Sequence, residues 1–173
     1  MIEKKPLSEL SYDNDNKIVV CDYKNSFIDL DTTKGMLHRS HSPESPDMLY
    51  IDEKKREIWF VEFKSSNAKN LNSHKNKIKL RKKIFAGLFL VYEIFCEKCS
   101  KYRTYDKFYY VVYNKVTQNY EDELLDSFEE ESSRDIEFGL EDLKPNFLKD
   151  IFTENCDSLK ELFQKRFRIE FIK

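Results

Sequence analysis

The stretch Pro46–Ser66, PDMLYIDEKKREIWFVEFKSS, decides the fold. It reads as a β-hairpin with a first arm Met48–Asp52, a charged tip Glu53–Arg56 and a second arm Glu57–Lys64. Side chains two apart on a strand share a face. Ile58, Phe60, Glu62 and Lys64 therefore form one row, and Trp59, Val61 and Phe63 the other. The second row is wholly apolar and is expected to face the core. The first begins apolar and ends in a carboxylate and an ammonium. Charge at the end of a mostly buried strand is expensive unless it is paired or binds a metal. Asp47 adds a second carboxylate at the mouth of the first arm.

Working outward, Lys17–Tyr23 and Phe27–Asp31 read as strands joined by a turn at Lys24–Ser26, after a short helix around Leu7–Tyr12. Thr32–Pro46, with its Gly, Pro and Ser residues, reads as a loop. Beyond the hairpin, Lys75–Glu97 reads as a helix with a broad apolar face (Ile78, Ile84, Phe85, Leu88, Leu90, Val91 and Phe95) and a strongly basic first half. Phe108–Lys115 is a strong strand, and Asp122–Glu131 an acidic helix. Leu140–Phe152 and Cys156–Lys165 read as helices, and Phe167–Ile172 alternates as a closing strand. Strands, a long helix, a further strand and more helices predict an α/β (α+β) fold with a mixed central sheet flanked by helices. One domain is expected over 1–173, with its core at about 17–115 and a helical C-terminal extension over 120–173.

The 173 residues suffice for a packed core, and a 14% aromatic share is unlike a disordered chain. The net charge of -2 conceals segregation: Lys64–Lys83 holds eight Lys or Arg and no acid, whereas acids dominate Tyr120–Glu161. A local basic patch of this kind suits a polyanion whatever the total charge. Met1–Leu10 lacks the apolar core of a signal peptide, and the apolar run Ile84–Tyr92 is far short of the roughly 20 residues a membrane span needs. No membrane partner is expected. The four cysteines (Cys21, Cys96, Cys99, Cys156) read most simply as reduced thiols of a cytoplasmic protein. Cys96 and Cys99 form one CxxC, and a structural zinc there needs further ligands from Cys21, Cys156 or His74.

Pro46-Asp47, followed by Glu62-Phe63-Lys64 at the end of an apolar strand, resembles the signature of the PD-(D/E)xK nuclease superfamily. The resemblance spans roughly Thr32–Lys115 and implies a restriction-endonuclease-like core: a helix, a three-stranded meander, a helix and a fourth strand. It implies a nuclease hydrolysing phosphodiester bonds with Mg²⁺ or Mn²⁺, acting on DNA, with RNA the alternative. Asp47, Glu62 and the backbone carbonyl of Phe63 are then the metal ligands, and Lys64 is the catalytic lysine. The residue types suit that chemistry, since hard cations take oxygen ligands and an adjacent ammonium orients water or stabilises charge on phosphorus. The family often adds an upstream acid. Glu9 is the candidate, with Asp29 and Asp31 as alternatives. Some branches, notably the cap-snatching endonucleases of segmented negative-strand RNA viruses, place a His near the metal, which makes His38 and His41 candidates and favours Mn²⁺. Many relatives dimerise, so a homodimer is a further expectation.

The basic helix face (Lys75, Lys77, Lys79, Arg81, Lys82, Lys83) suits a phosphate backbone, with Ser65, Ser66 and Asn67 as hydrogen-bond donors. Lys79 or Lys82 is expected to reach back toward the site. The competing reading treats Glu62 and Lys64 as a surface ion pair on an edge strand. Asp47 is then a turn residue after Pro46. A separate alternative is a non-catalytic nucleic-acid-binding or protein-interaction module on the same fold.

Overall fold

The structure is a computed structural model describing residues 2–35, 44–66, 71, 73–96, 100–113 and 138–173. The expected hairpin forms with the expected limits. In chain order the elements are β1 (Lys4–Pro6), α1 (Leu7–Leu10), β2 (Tyr12–Asp13), β3 (Ile18–Val19), β4 (Ser26–Asp29), α2 (Leu30–Lys34), β5 (Met48–Asp52) and β6 (Glu57–Lys64). They continue with α3 (His74–Leu90), a π-helical turn Val91–Cys96, a 3₁₀ turn Ser100–Thr104, β7 (Asp106–Tyr113), a 3₁₀ turn Glu141–Leu143, β8 (Asp150–Glu154) and α4 (Cys156–Phe167).

Six strands form one mixed sheet in the order β1-β4-β5-β6-β7-β8. The pairs β1/β4, β4/β5 and β5/β6 are antiparallel, whereas β6/β7 and β7/β8 are parallel. Antiparallel neighbours need only a turn, and the parallel step from β6 to β7 needs a crossover, which α3 supplies. The hairpin tip is set by Asp52, whose Oδ1 accepts from Lys55 N at 2.7 Å, and by Arg56 at φ 58°. Glu53 is then held by Lys101 and by the Tyr102 hydroxyl, so the tip rests on the 3₁₀ turn before β7.

β6 is central and both of its rows are covered, which corrects the expectation of one core-facing row. Ile58 and Phe60 join Leu49, Tyr109 and Val111 beneath α3, against Leu80, Ile84 and Leu88. Trp59, Val61 and Phe63 join Met48, Tyr110 and Val112 beneath α4, against Leu159 and Phe163. Two-sided burial is what a strand with parallel pairing and helices on both faces produces.

Other expectations changed for local reasons. Lys17–Tyr23 contributes only Ile18–Val19 as strand, paired with Tyr12–Asp13 in a separate two-stranded ribbon, β2–β3. Asp29 ends β4 because its Oδ1 accepts from Asp31 N at 2.8 Å and Thr32 N at 3.2 Å, capping α2 where a strand and loop were expected. The predicted helix Leu140–Phe152 is instead a 3₁₀ turn and strand β8, since Pro145 cannot occupy a helix interior. Within the described part of the C-terminal extension, Asp150–Glu154 joins the sheet beside β7, and Cys156–Phe167 is helical as expected. Phe167–Ile172 forms no closing strand. After Arg168 at φ 58°, the tail packs Phe171 edge-on against Tyr23 and exchanges hydrogen bonds with Lys24 and Asn25. The acidic helix Asp122–Glu131 lies outside the described residues.

Cys21 and Cys156 form a disulfide, which overturns the reduced-thiol expectation for this pair. Cys156 opens α4 and Cys21 lies in the core beneath that helix, with Cα atoms 5.6 Å apart. The disulfide also removes two of the donors a zinc at Cys96 and Cys99 required; Cys99 itself lies outside the described residues. The cysteines therefore give no support for a reducing compartment. Among the described residues no helix is long and apolar enough to cross a membrane.

One ion pair, between a buried carboxylate and a partly exposed guanidinium, fixes α4. Glu57, 7% exposed, accepts from Arg166 Nε at 2.8 Å and Nη2 at 2.6 Å, and from Trp59 Nε1 at 3.0 Å. The guanidinium lies over the stacked Trp59 and Phe108 rings. Removing the guanidinium leaves the covered Glu57 carboxylate with Trp59 as its remaining donor, so Arg166→Ala is expected to destabilise the fold by roughly 1–2 kcal/mol, less than for a fully buried pair because Arg166 is partly exposed. Urea denaturation checks this, and Glu57→Gln with Arg166→Ala together should lose less than the two single losses added.

Candidate active site

The Glu62 side chain is completely buried. It lies on the Ile58–Phe60 row of β6, under α3. Two ammonium groups meet it: Lys64 Nζ lies 2.6 Å from Oε1, and Lys83 Nζ lies 2.7 Å from Oε1 and 2.9 Å from Oε2. Lys83 also reaches Asp47 Oδ1 at 3.2 Å. The other Asp47 oxygen, Oδ2, accepts from Phe63 N at 2.7 Å. Asp47, Glu62, Lys64 and Lys83 thus form one charge cluster at the C-terminal end of β6, drawn from the mouth of β5, from β6 and from α3.

α3 comes close enough for this because residue 87 is glycine. A Cβ there would lie 2.9 Å from Pro46 Cγ and 3.0 Å from Phe60 Cδ1. Lys83 stands one turn earlier in the stripe Leu80–Lys83–Ile84–Gly87, the cation among residues that press onto the sheet.

The electrostatics follow from crowding. Loss of solvation, then the neighbouring Glu62 carboxylate, pushes the Asp47 carboxyl up from an ordinary 3.8 to about 7, against the opposing pull of Lys83. Burial by itself would lower the Lys83 pKa, but the Glu62 and Asp47 carboxylates overcome it and hold the ammonium above its ordinary value. Tyr109 lies behind the cluster. Burial, then Glu62 and Asp47, raises its phenol well above the ordinary range, and among the described residues its buried hydroxyl has no hydrogen-bond partner.

A polar cleft of about 870 Å³ opens in front of the cluster. Asp47, Lys64 and Lys83 line it, with Ser65, Ser66 and, from α3, Asn76 and Lys79. The opposite wall is N-terminal: Glu9 of α1 and the β2–β3 ribbon with Tyr12, Asp13 and Asp15. Ribbon and site are clasped together. Ser65 Oγ donates to Asp13 Oδ2, and Asn16 Nδ2 donates to Ser65 Oγ at 2.9 Å and to Asp13 Oδ2 at 3.0 Å. Those bonds, from Ser65 first and then Asn16, pull the Asp13 carboxyl down to about 2.

The structure sorts the sequence-based candidates. Asp47, Glu62 and Lys64 come together as expected. Within the basic run, Lys83 reaches the site, Lys79 lines the cleft without joining the cluster, and Lys82 is exposed without reaching it. Arg81 turns away to Asp142 and the Gly139 carbonyl, and Lys77 packs beside Gly139. These two face the C-terminal segment instead of the cleft. Lys75 is exposed. The Ser65 hydroxyl is committed to Asp13, whereas Ser66 lines the cleft. Glu9 lines the cleft. Asp29 and Asp31 line it too, but Asp29 pairs with Lys5 and caps α2, and Asp31 pairs with Lys34 and Ser45. Among the described residues no group of three or more acidic, His or Cys side chains is gathered to hold a metal. His38, His41 and Asn67 lie outside the described residues. Lys83's role was readable from its place in the apolar stripe. Tyr109 carried no sequence signal beyond an ordinary core aromatic.

No protein-family model, curated protein or solved structure matches the chain.

Two outcomes test this geometry. Gly87→Ala is expected to destabilise the protein by ~1–3 kcal/mol, despite alanine's better helix propensity, because Pro46 and the buried Phe60 ring cannot both withdraw. Asp47 holds its proton more tightly folded than unfolded, so its contribution is full below about pH 4 and is lost as the pH rises through about 7. Asp47→Asn should therefore gain stability over the wild type across that window. Urea midpoints measured from pH 4 to pH 8 check the sign, and a constant difference would contradict it.

Proposed function

We propose that the chain is a metal-dependent nuclease of the PD-(D/E)xK type, hydrolysing phosphodiester bonds in DNA, with RNA as the alternative. One observation carries the reading: Asp47 and Glu62, from adjacent strands, aim their carboxylates at a common cationic point, now filled by Lys83 Nζ. The element order supports it, because β4–β5–β6 is an antiparallel meander, α3 crosses over and β7 returns parallel to β6. That is the order the superfamily core requires.

The donor set fits a hard divalent cation: two carboxylates that already share one cation. Asp47, Glu62 and the Phe63 carbonyl would hold Mg²⁺ or Mn²⁺, with Lys83 giving up its place between the carboxylates. Such an ion supplies Lewis acidity toward the phosphate and toward water. The chain's own groups do the rest. Lys64, anchored on Glu62, presents an ammonium to the cleft that orients the attacking water and stabilises the extra negative charge on phosphorus. The water oxygen bonds to phosphorus, the ester P–O bond breaks, the water's proton leaves to solvent and the departing oxygen is protonated. Lys79 on the cleft wall neutralises an adjacent phosphate.

Two lysines on one carboxylate also favour a second reading. With Lys64 and Lys83 both bonded to Glu62, the cluster is balanced without a metal, as a binding module would have it. Incubation with plasmid, single-stranded DNA and RNA in Mg²⁺ or Mn²⁺ separates the two. Cleavage is expected, falling roughly 100-fold or more in Glu62→Ala and in Lys64→Ala. Cleavage that survives both substitutions removes the site assignment. Salt-sensitive binding with no cleavage favours the binding module.

A further inference from the structure

The two walls of the cleft differ in sign. Lys64, Lys79 and Lys83 stand on the β6–α3 side with Asp47 among them, whereas Glu9, Asp13, Asp15, Asp29 and Asp31 stand on the N-terminal side, where the one lysine, Lys5, is paired with Asp29. The ribbon also brings an aromatic residue to this polar space: Tyr12 lines the cleft and is 43% exposed. A duplex presents phosphates along both edges, about one charge per 1.7 Å of axis, so one strand would lie against the acids. A single strand can turn its phosphates to the lysines and its bases to the ribbon. The volume, about 870 Å³, falls within the range of about 300–1,000 Å³ typical of small-ligand pockets. It suits a short unpaired segment. Every base has a face that stacks on an aromatic ring, so Tyr12 gives contact without sequence preference.

We propose that the cleft takes a single polynucleotide strand, its phosphates along Lys64, Lys79 and Lys83 and a base stacked on Tyr12. The inference rests on the nuclease reading for the place of the scissile phosphate, beside Lys64. It assigns the ribbon as the element that selects unpaired over paired substrate. The Asp13–Ser65–Asn16 clasp fixes the distance between stacking ring and reacting phosphate, because Ser65 directly follows Lys64.

The test is binding of a labelled, non-self-pairing DNA oligonucleotide to the full chain in EDTA, against the same strand annealed to its complement. Fluorescence anisotropy is expected to show the single strand bound at least about tenfold more tightly. Tyr12→Ala and Tyr12→Leu are each expected to weaken single-strand binding by about five- to 150-fold, and Tyr12→Phe to retain it. Lys79→Ala should lower the salt slope by about one while leaving the preference for single strands intact. Equal or tighter duplex binding, indifference to Tyr12→Ala and Tyr12→Leu, or no binding of either substrate would overturn the inference. The two readings fail separately. Single-strand binding without cleavage in Mg²⁺ or Mn²⁺ would contradict the nuclease alone, and duplex cleavage without single-strand preference would contradict this inference alone.

Discussion

The structure around the cleft depends on one buried carboxylate. Glu62 has no solvent contact, and an ionised group in that position is tolerable only if its charge is met by partners of good geometry. Lys64 and Lys83 meet it. Lys64 does so from the same strand, two residues on. Lys83 does so only because α3 lies close over the hairpin, and α3 lies close because Gly87 lets it pass Pro46 and Phe60. Helix position, hairpin and charge cluster are therefore one arrangement. A stability device alone would not require this, since an apolar residue at 62 would continue the Ile58–Phe60 row at lower desolvation cost. The retained charge is the physical reason to look for chemistry at this end of the sheet.

Much of this was legible in the sequence, for reasons that differ between elements. The hairpin was readable because β6 is a run of β-branched and aromatic residues whose ends are marked by charge. The α3 crossover and β7 were readable because each is long and strongly patterned, and together they imply the parallel β6–β7 pair. β8 was not. Asp150–Glu154 is short, and the leucines and phenylalanines before it mimic a helical stripe that Pro145 then forbids. The ribbon β2–β3 is two residues per strand, too short for any period. The Cys21–Cys156 disulfide joins positions 135 residues apart, which only the packing under α4 brings together.

The site shows the same division. Asp47, Glu62 and Lys64 are local to one hairpin, so their meeting was implied by strand geometry. The cleft's opposite wall comes from residues some fifty positions upstream, and nothing in Tyr12 or Asp13 marks them as its neighbours. The basic run misled in a specific way. Its cations look equivalent in sequence, but a helix turns about 100° per residue. Lys79 and Lys83 therefore face the cleft while Lys77 and Arg81 face Gly139 and Asp142.

The central claim is that Asp47 and Glu62 form a cation site in which Lys83 holds the place of a divalent ion. Calorimetric titration of the purified chain with Mn²⁺ tests it most directly. The account predicts saturable binding that Glu62→Gln abolishes and Lys83→Ala strengthens, since that variant removes the competing ammonium. Binding that is absent in the wild type, or unchanged in Glu62→Gln, would contradict it.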